Sequence, residues 1–218
     1  MLLIFDWDGT LSDSTGKIVR CIQTAANKLG IEAPGDEAAK DIIGLALPVA
    51  MARLFPGLSD ADTRRLTEQY SRDFLDDQEQ LSPFYPGVEQ VLDQLKRQGY
   101  RLAVATGKSR RGLDRVLAAH GWQDYFDATR CADETASKPE PLMLQELLAY
   151  FGEGPRSALM VGDTEYDMAM ARAIGMHRAA VSYGAHHIDR LRPYEPVLCM
   201  DRFVELRDWL TADQHPRP

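Results

Sequence analysis

The chain has 218 residues, enough to bury a sizeable core in one large domain or two small ones. A net charge of −8 argues against a general nucleic-acid or membrane-surface binder, though not against an anionic substrate, because a bound metal reverses the field inside one cleft. Cys21, Cys131 and Cys199 show no metal-ligand spacing and read as free thiols, no apolar run approaches the roughly 20 residues of a bilayer span, and the first run stops at Asp6 without a basic start, so a cytoplasmic chain with no membrane partner is expected.

Leu2 to Phe5 form an uninterrupted apolar run, the pattern of a strand buried on both faces. It ends in Asp6 and Asp8, followed by Gly9 and Thr10. Two carboxylates one residue apart repel each other unless a divalent cation lies between them or one keeps its proton. Gly9 lets the backbone turn away and approach a ligand closely. Taken alone, the same residues also suit an ordinary acidic turn.

After Ser14 the period becomes helical. Ile18, Ile22, Ala25 and Leu29 share a face, and Gly30 stops the run. Asp36 to Ile43 reads as a short helix, and Pro48 to Phe55 as another. A longer one, capped by Ser59 or Asp60, runs to about Gln80 with Leu66, Tyr70, Phe74 and Leu75 as its stripe. Nothing between Thr15 and Leu81 reads as a strand. Residues 15–82 are expected to be a helical cap inserted into a core of residues 1–14 and 83–218, with hinges near Leu11–Thr15 and Leu81–Gly87.

From Gly87 strands and helices alternate. A helix bearing Val88, Val91, Leu92 and Leu95 precedes a buried strand at Arg101–Ala105, which ends in Thr106-Gly107-Lys108-Ser109. Leu113, Val116 and Leu117 mark the next helix, and a short strand follows near Phe126–Cys131. The loop Ala136 to Pro141, carrying Lys138, leads into a helix with Leu144, Leu147 and Leu148. Ser157 to Val161 is a buried strand ending in Gly162-Asp163 and Asp167, with a helix expected over Met168–Ile174. Short strands at His177–Val181 and Pro196–Met200 and a helix at Phe203–Leu210 complete the chain, with residues 213–218 as a loose tail. This alternation predicts an α/β fold with a doubly wound parallel sheet. If the first strand is central, the Thr106 and Asp163 strands flank it, and all these polar groups meet at the switch point.

The four motifs in order, Asp6-Trp-Asp-Gly-Thr10, Thr106, Lys138 and Gly162-Asp163 to Asp167, resemble those of the haloacid dehalogenase-like hydrolases, specifically the capped phosphatases and within them the phosphoglycolate-phosphatase group. The resemblance implies a phosphoric monoester hydrolase acting on a small-molecule phosphate ester, as a monomer or homodimer. It implies Asp6 as nucleophile and Asp8 as general acid and then base. Gly9, Thr106, Gly107 and Lys138 would bind the phosphoryl group beside Asp6. Mg2+ would be held by Asp6, the backbone carbonyl of Asp8 and Asp163, with Asp167 holding a ligating water or orienting Lys138.

Each assignment has a plainer rival. Thr106-Gly107 suits a strand-to-helix turn, Lys138 a surface lysine, and Asp167 an exposed acid near a helix start. Asp13 and Ser14 read as caps of the first inserted helix, and Lys108 as solvent-exposed. Lys17, Arg20 and Arg53 are candidates to pair with a substrate carboxylate, though exposed helix cations are the plainer reading. A hexose-phosphate mutase of the same superfamily is the runner-up, with Thr10 favouring hydrolysis. A receiver-like phospho-accepting module or a non-catalytic binding protein is the rival from another class.

Overall fold

The computed structural model describes residues 1–76 and 81–212. The expected tail and the last turn of the helix drawn to Gln80 lie outside the described residues. Six strands, β1 (Leu2–Phe5), β2 (Arg101–Thr106), β3 (Ala128–Cys131), β4 (Ala158–Gly162), β5 (His177–Val181) and β6 (Leu198–Met200), form one sheet in the order β3-β2-β1-β4-β5-β6. Every pairing in it is parallel. The chain moves outward from β1 through β2 to β3, then crosses back to β4, so the order reverses at β1. Such a reversal opens a crevice at the carboxyl ends of the strands.

Alternation along β1 explains its unbroken apolar run. Leu3 and Phe5 enter one core with Leu102, Val104, Leu159 and Val161, while Leu2 and Ile4 enter another with Ala103, Ala158 and Met160. The first face is covered by α5 (Val88–Arg97), α6 (Arg110–Ala119) and α10 (Val204–Thr211). The second is covered by α7 (Leu142–Phe151) and α8 (Glu165–Ala173). A strand with both faces buried has no position left for a polar side chain until it leaves the sheet.

Between β1 and α5 the described residues form α1 (Thr15–Lys28), α2 (Asp36–Asp41), α3 (Leu47–Leu54) and α4 (Asp60–Asp76), with no strand among them. These helices share their own apolar cluster, including Ile22, Ile43, Met51 and Leu66. Entry and exit of the segment pair with each other: Tyr85 N–H donates to the Leu11 carbonyl at 3.0 Å, and Asp13 N–H to the Pro83 carbonyl at 2.8 Å. The segment also rests on the core. A Cβ at Gly107 would lie 2.4 Å from the Gly44 carbonyl oxygen, and Ala46 N–H donates to Ser137 Oγ at 2.9 Å. Asp41 is gripped from the other side, its carbonyl by the Tyr166 hydroxyl at 2.6 Å and its carboxylate by Arg190 at 2.7 Å.

Two elements depart from expectation. α8 starts at Glu165 rather than Met168, because Thr164 and Asp167 form a capping box that draws the acidic loop into the helix. A short α9 (Ile188–Leu191) lies where no periodicity was visible, its start capped by His187 accepting from Asp189 N–H. Phe5 is fully buried on the central strand and its ring lies 5.9 Å from that of Phe203. Phe5→Ala should therefore cost about 3–5 kcal/mol of stability by urea denaturation. A loss below about 1 kcal/mol would show that β1 is not the keystone of this core.

Candidate active site

Phe5 faces Val104 on one side and Val161 on the other. Two residues further along each neighbour stand Thr106 and Asp163, level with the turn that follows β1. That turn is closed by Leu11 and Ser12 N–H donating to the Trp7 carbonyl, and by Gly9 N–H donating to Ser12. Trp7 points into the core, edge-on to Phe84 and Trp122, which anchors the turn between the two aspartates. Gly9 has φ of +80°, and a Cβ there would lie 2.1 Å from Asp163 Oδ2, so position 9 admits no larger residue without displacing that carboxylate.

Asp6, Asp163 and Asp167 are buried and each offers one oxygen to a cluster whose ligand atoms lie within 4.8 Å of one another. Lys138, 1% exposed, enters from its loop and ion-pairs with Asp6 Oδ1 at 2.8 Å and Asp167 Oδ1 at 2.6 Å. The contact with Asp167 is a hydrogen bond; the one with Asp6 lacks hydrogen-bond geometry, and neither Asp6 oxygen has a hydrogen-bond partner. Asp167 Oδ2 accepts from the Thr164 amide and hydroxyl. Asp163 is held by the Thr10 hydroxyl at 2.8 Å and by Ala185 N–H at 2.7 Å.

Burial pushes the Asp6 carboxyl well above its ordinary range; Lys138 opposes this, and Asp167 and Asp163 add to it. Burial, with Asp167 beside it, raises Asp163 to about 7. Lys138 stays charged despite burial, because Asp167 and Asp6 face it. Three acids against one lysine leave an excess of negative charge when all ionise, and neither Asp6 oxygen accepts a well-formed hydrogen bond. An all-oxygen donor set of this kind fits a hard divalent cation.

Asp8 stands apart. Its side chain accepts from the Ser14 hydroxyl at 2.6 Å and ion-pairs with Lys108 at 3.0 Å, rather than joining the three-acid cluster. Lys108 is therefore not solvent-exposed as expected: its side chain is 11% exposed, and its Nζ lies 5.0 Å from the centre of the Phe74 ring. Nor does the Ser14 side chain cap α1: its backbone already sits in the helical region, and its hydroxyl donates to Asp8. Asp167 is buried, not exposed, and so is Lys138. The Thr106 hydroxyl accepts from Lys108 N–H at 3.2 Å, and Gly107 lets the inserted segment approach. Among the cations considered for a substrate carboxylate, Arg53 pairs with Asp41 at 3.4 Å, Lys17 lies 4.9 Å from the centre of the Phe74 ring, and Arg20 is exposed.

A cavity of about 280 Å³ opens over Asp6 and Asp8, walled by Gly107 and Lys108 from the core and by the inserted helices. A model of the haloacid dehalogenase-like hydrolases matches residues 3–181. The chain belongs to that family. It is 36% identical to "Probable phosphatase IndB" of Dickeya dadantii, over 94% of this chain and 91% of the relative. It is 30% identical to the phosphoglycolate phosphatase of Nitrosococcus oceani, over 96% of both chains. The crystal structure of a predicted phosphoglycolate phosphatase from Haemophilus somnus superposes with a TM-score of 0.87 at 25% identity, covering 96% of this chain and 97% of that one.

In this haloacid dehalogenase-like hydrolase, Asp6, Lys138, Asp163 and Asp167 converge as the motif order implied. Gly184 and Ala185 were missed. A Cβ at Gly184 would lie 2.2 Å from Asp163 Cβ, and Ala185 supplies the amide that holds that side chain. Their signal was a pair of small residues just after a strand. No helix of the described residues is long and apolar enough to cross a membrane.

The raised acids set a pH dependence. Between the ordinary Asp value of 3.8 and about 7, the cation-free native state holds a proton on Asp163 that the unfolded chain has shed. Its contribution to stability therefore falls as pH rises through that window. A cation that binds only the native state offsets the loss. The melting-temperature gain from millimolar Mg2+ over EDTA should be at least about 3 °C larger at pH 8 than at pH 5. An equal gain at both pH values would contradict the assignment.

Proposed function

We propose that the chain is a Mg2+-dependent phosphatase of small phosphomonoesters, working through an aspartyl-phosphate on Asp6. The carrying observation is the Asp6 carboxylate, buried at the end of the central strand with Lys138 as its ion-pair partner, neither oxygen accepting a well-formed hydrogen bond, and a cavity opening above it. A carboxylate held without hydrogen bonds keeps its lone pairs available for attack. Asp6, the backbone carbonyl of Asp8 and Asp163 would hold the ion, with Asp167 orienting Lys138 beside it, and the ion would supply charge neutralisation for a phosphate entering this acidic crevice.

An Asp6 oxygen attacks phosphorus in line, the new O–P bond forms, and the ester P–O bond breaks. The departing alkoxide takes a proton from Asp8, whose direction is fixed by Ser14 and Lys108. Asp8, now ionised, accepts a proton from water as that water attacks phosphorus. The Asp6 bond breaks, releasing inorganic phosphate and restoring both residues. Lys138 and the amides around Thr106 and Gly107 offset charge on the transferring group. Asp8, the nearest acid to Asp6 in sequence, is thus held by a set of partners separate from those of Asp6.

Residues 1–14 and 83–218 act as the catalytic core and 15–82 as the cap, which excludes bulk water when seated. Phosphoglycolate, the substrate in several relatives' names, is the first ester to assay. Asp6→Asn and Asp8→Asn should each lower phosphate release at least about 1,000-fold while the melting temperature stays within a few degrees or rises. Near-normal turnover in Asp6→Asn would refute the nucleophile assignment. Normal turnover in Asp8→Asn would refute the acid–base role alone.

A further inference from the structure

The cavity over Asp6 is built by the inserted helices almost wholly from apolar side chains: Ile22 of α1, Ile43 and Leu45 of the following loop, and Tyr70 and Phe74 of α4. Its cations are Lys108 and Arg111. Lys108 is engaged by Asp8, and Arg111 is exposed on α6. A substrate carboxylate placed among the inserted helices would exchange its water for no cation of those helices, with only the Tyr70 and Ser71 hydroxyls lining that side of the cavity among the described residues. An apolar group placed there gains the transfer free energy of its own surface. The volume, about 280 Å³, approaches the lower bound of about 300 Å³ for pockets that enclose small organic ligands. A second cavity, of about 360 Å³, touches Asp8 but not Asp6. The first cavity is the one that reaches Asp6 itself, and it adjoins the second along Asp8, Phe74 and Lys108.

We infer that the substrate is a phosphomonoester whose organic group is apolar or aromatic, seated between Ile43, Leu45 and Phe74 while the phosphoryl group sits at Asp6. This rests on the phosphatase reading. The reaction is the one already written, with an apolar alcohol as the leaving group. It places the enzyme after a step that phosphorylates, or builds a phosphate ester onto, an apolar alcohol.

The test compares benzyl phosphate with 2-phosphoglycolate in Mg2+, following released phosphate. Both leave as aliphatic alkoxides, so the ratio of kcat/KM reports the pocket. Benzyl phosphate should be favoured at least about tenfold. Phe74→Gln should lower that ratio at least about fivefold, and it is a half-buried position at which the wild-type comparison stands whether or not the variant folds. Calorimetry with the non-hydrolysable benzylphosphonate and phosphonoacetate gives a readout independent of turnover. Benzylphosphonate should bind about tenfold tighter, with a negative heat-capacity change. Equal or better use of phosphoglycolate overturns the substrate class and leaves the phosphatase reading standing. Failure to release phosphate from either ester overturns the phosphatase reading, and the calorimetric ratio then decides the pocket: a ratio of one or below overturns this inference, and a tenfold ratio supports it.

Discussion

The buried Lys138 ammonium, wedged between Asp6 and Asp167, is the constraint from which the rest of this crevice follows. Stripping water from an ammonium costs several kcal/mol, so the group persists there only because two carboxylates face it. Those carboxylates come from different parts of the chain, one from the end of β1 and one from the first turn of α8. The lysine loop thus ties the central strand to the helix that follows its neighbour. The capping box does the same work from below, since Asp167 cannot serve Thr164 and Lys138 together unless α8 begins where it does. Yet the pairing is incomplete. Lys138 satisfies Asp167 with a hydrogen bond and leaves Asp6 with an ion-pair contact alone. The acid with the fewest partners is the one that faces the cavity, and an unsatisfied buried group in an otherwise well-bonded core is where chemistry is expected.

How much of this was readable in the residues depended on whether the signal was local. The apolar runs at Leu2–Phe5, Arg101–Ala105 and Ser157–Val161 are strong because a strand buried on both faces tolerates no polar position. Alternation with helices implied a parallel sheet, the central place of β1 was a condition that the strand order meets, and the haloacid dehalogenase-like family was legible from four motifs in sequence order. Lys108 and Ser14 were misread for one shared reason. A lysine after a strand and a serine before a helix have common local uses, exposure and capping. What redirects both is Asp8, together with a Phe74 ring delivered by a remote helix. The start of α8 was missed because apolar periodicity begins at Met168, whereas the helix is nucleated by polar capping that periodicity does not register. Gly184 escaped notice because its constraint, the space taken by Asp163, is visible only once the strands are side by side.

The architecture also separates two tasks. Asp6, Lys138, Asp163 and Asp167 come from loops and a helix start at the ends of core strands, where a rigid sheet fixes their positions. The apolar wall of the cavity above them comes mainly from the segment between β1 and α5. That segment carries its own apolar cluster, so its surface over the site changes without disturbing the sheet. Its contacts with the core are both polar and apolar: Ala46 with Ser137 and Asp41 with Tyr166 and Arg190 by hydrogen bond or ion pair, and the Tyr166 ring buried within the segment's own apolar cluster. The close approach of Gly44 to Gly107 then has a consequence for selectivity. With no side chains between them, the backbone of the inserted loop rests directly on the phosphate-side loop. The distance from Asp6 to the apolar wall is thereby set by main chain rather than by a flexible side chain. A main-chain wall cannot extend toward a short substrate. An ester whose organic group fails to fill the cavity leaves that apolar surface wet, so the same contact that positions a well-fitting group weakens the hold on a small polar one.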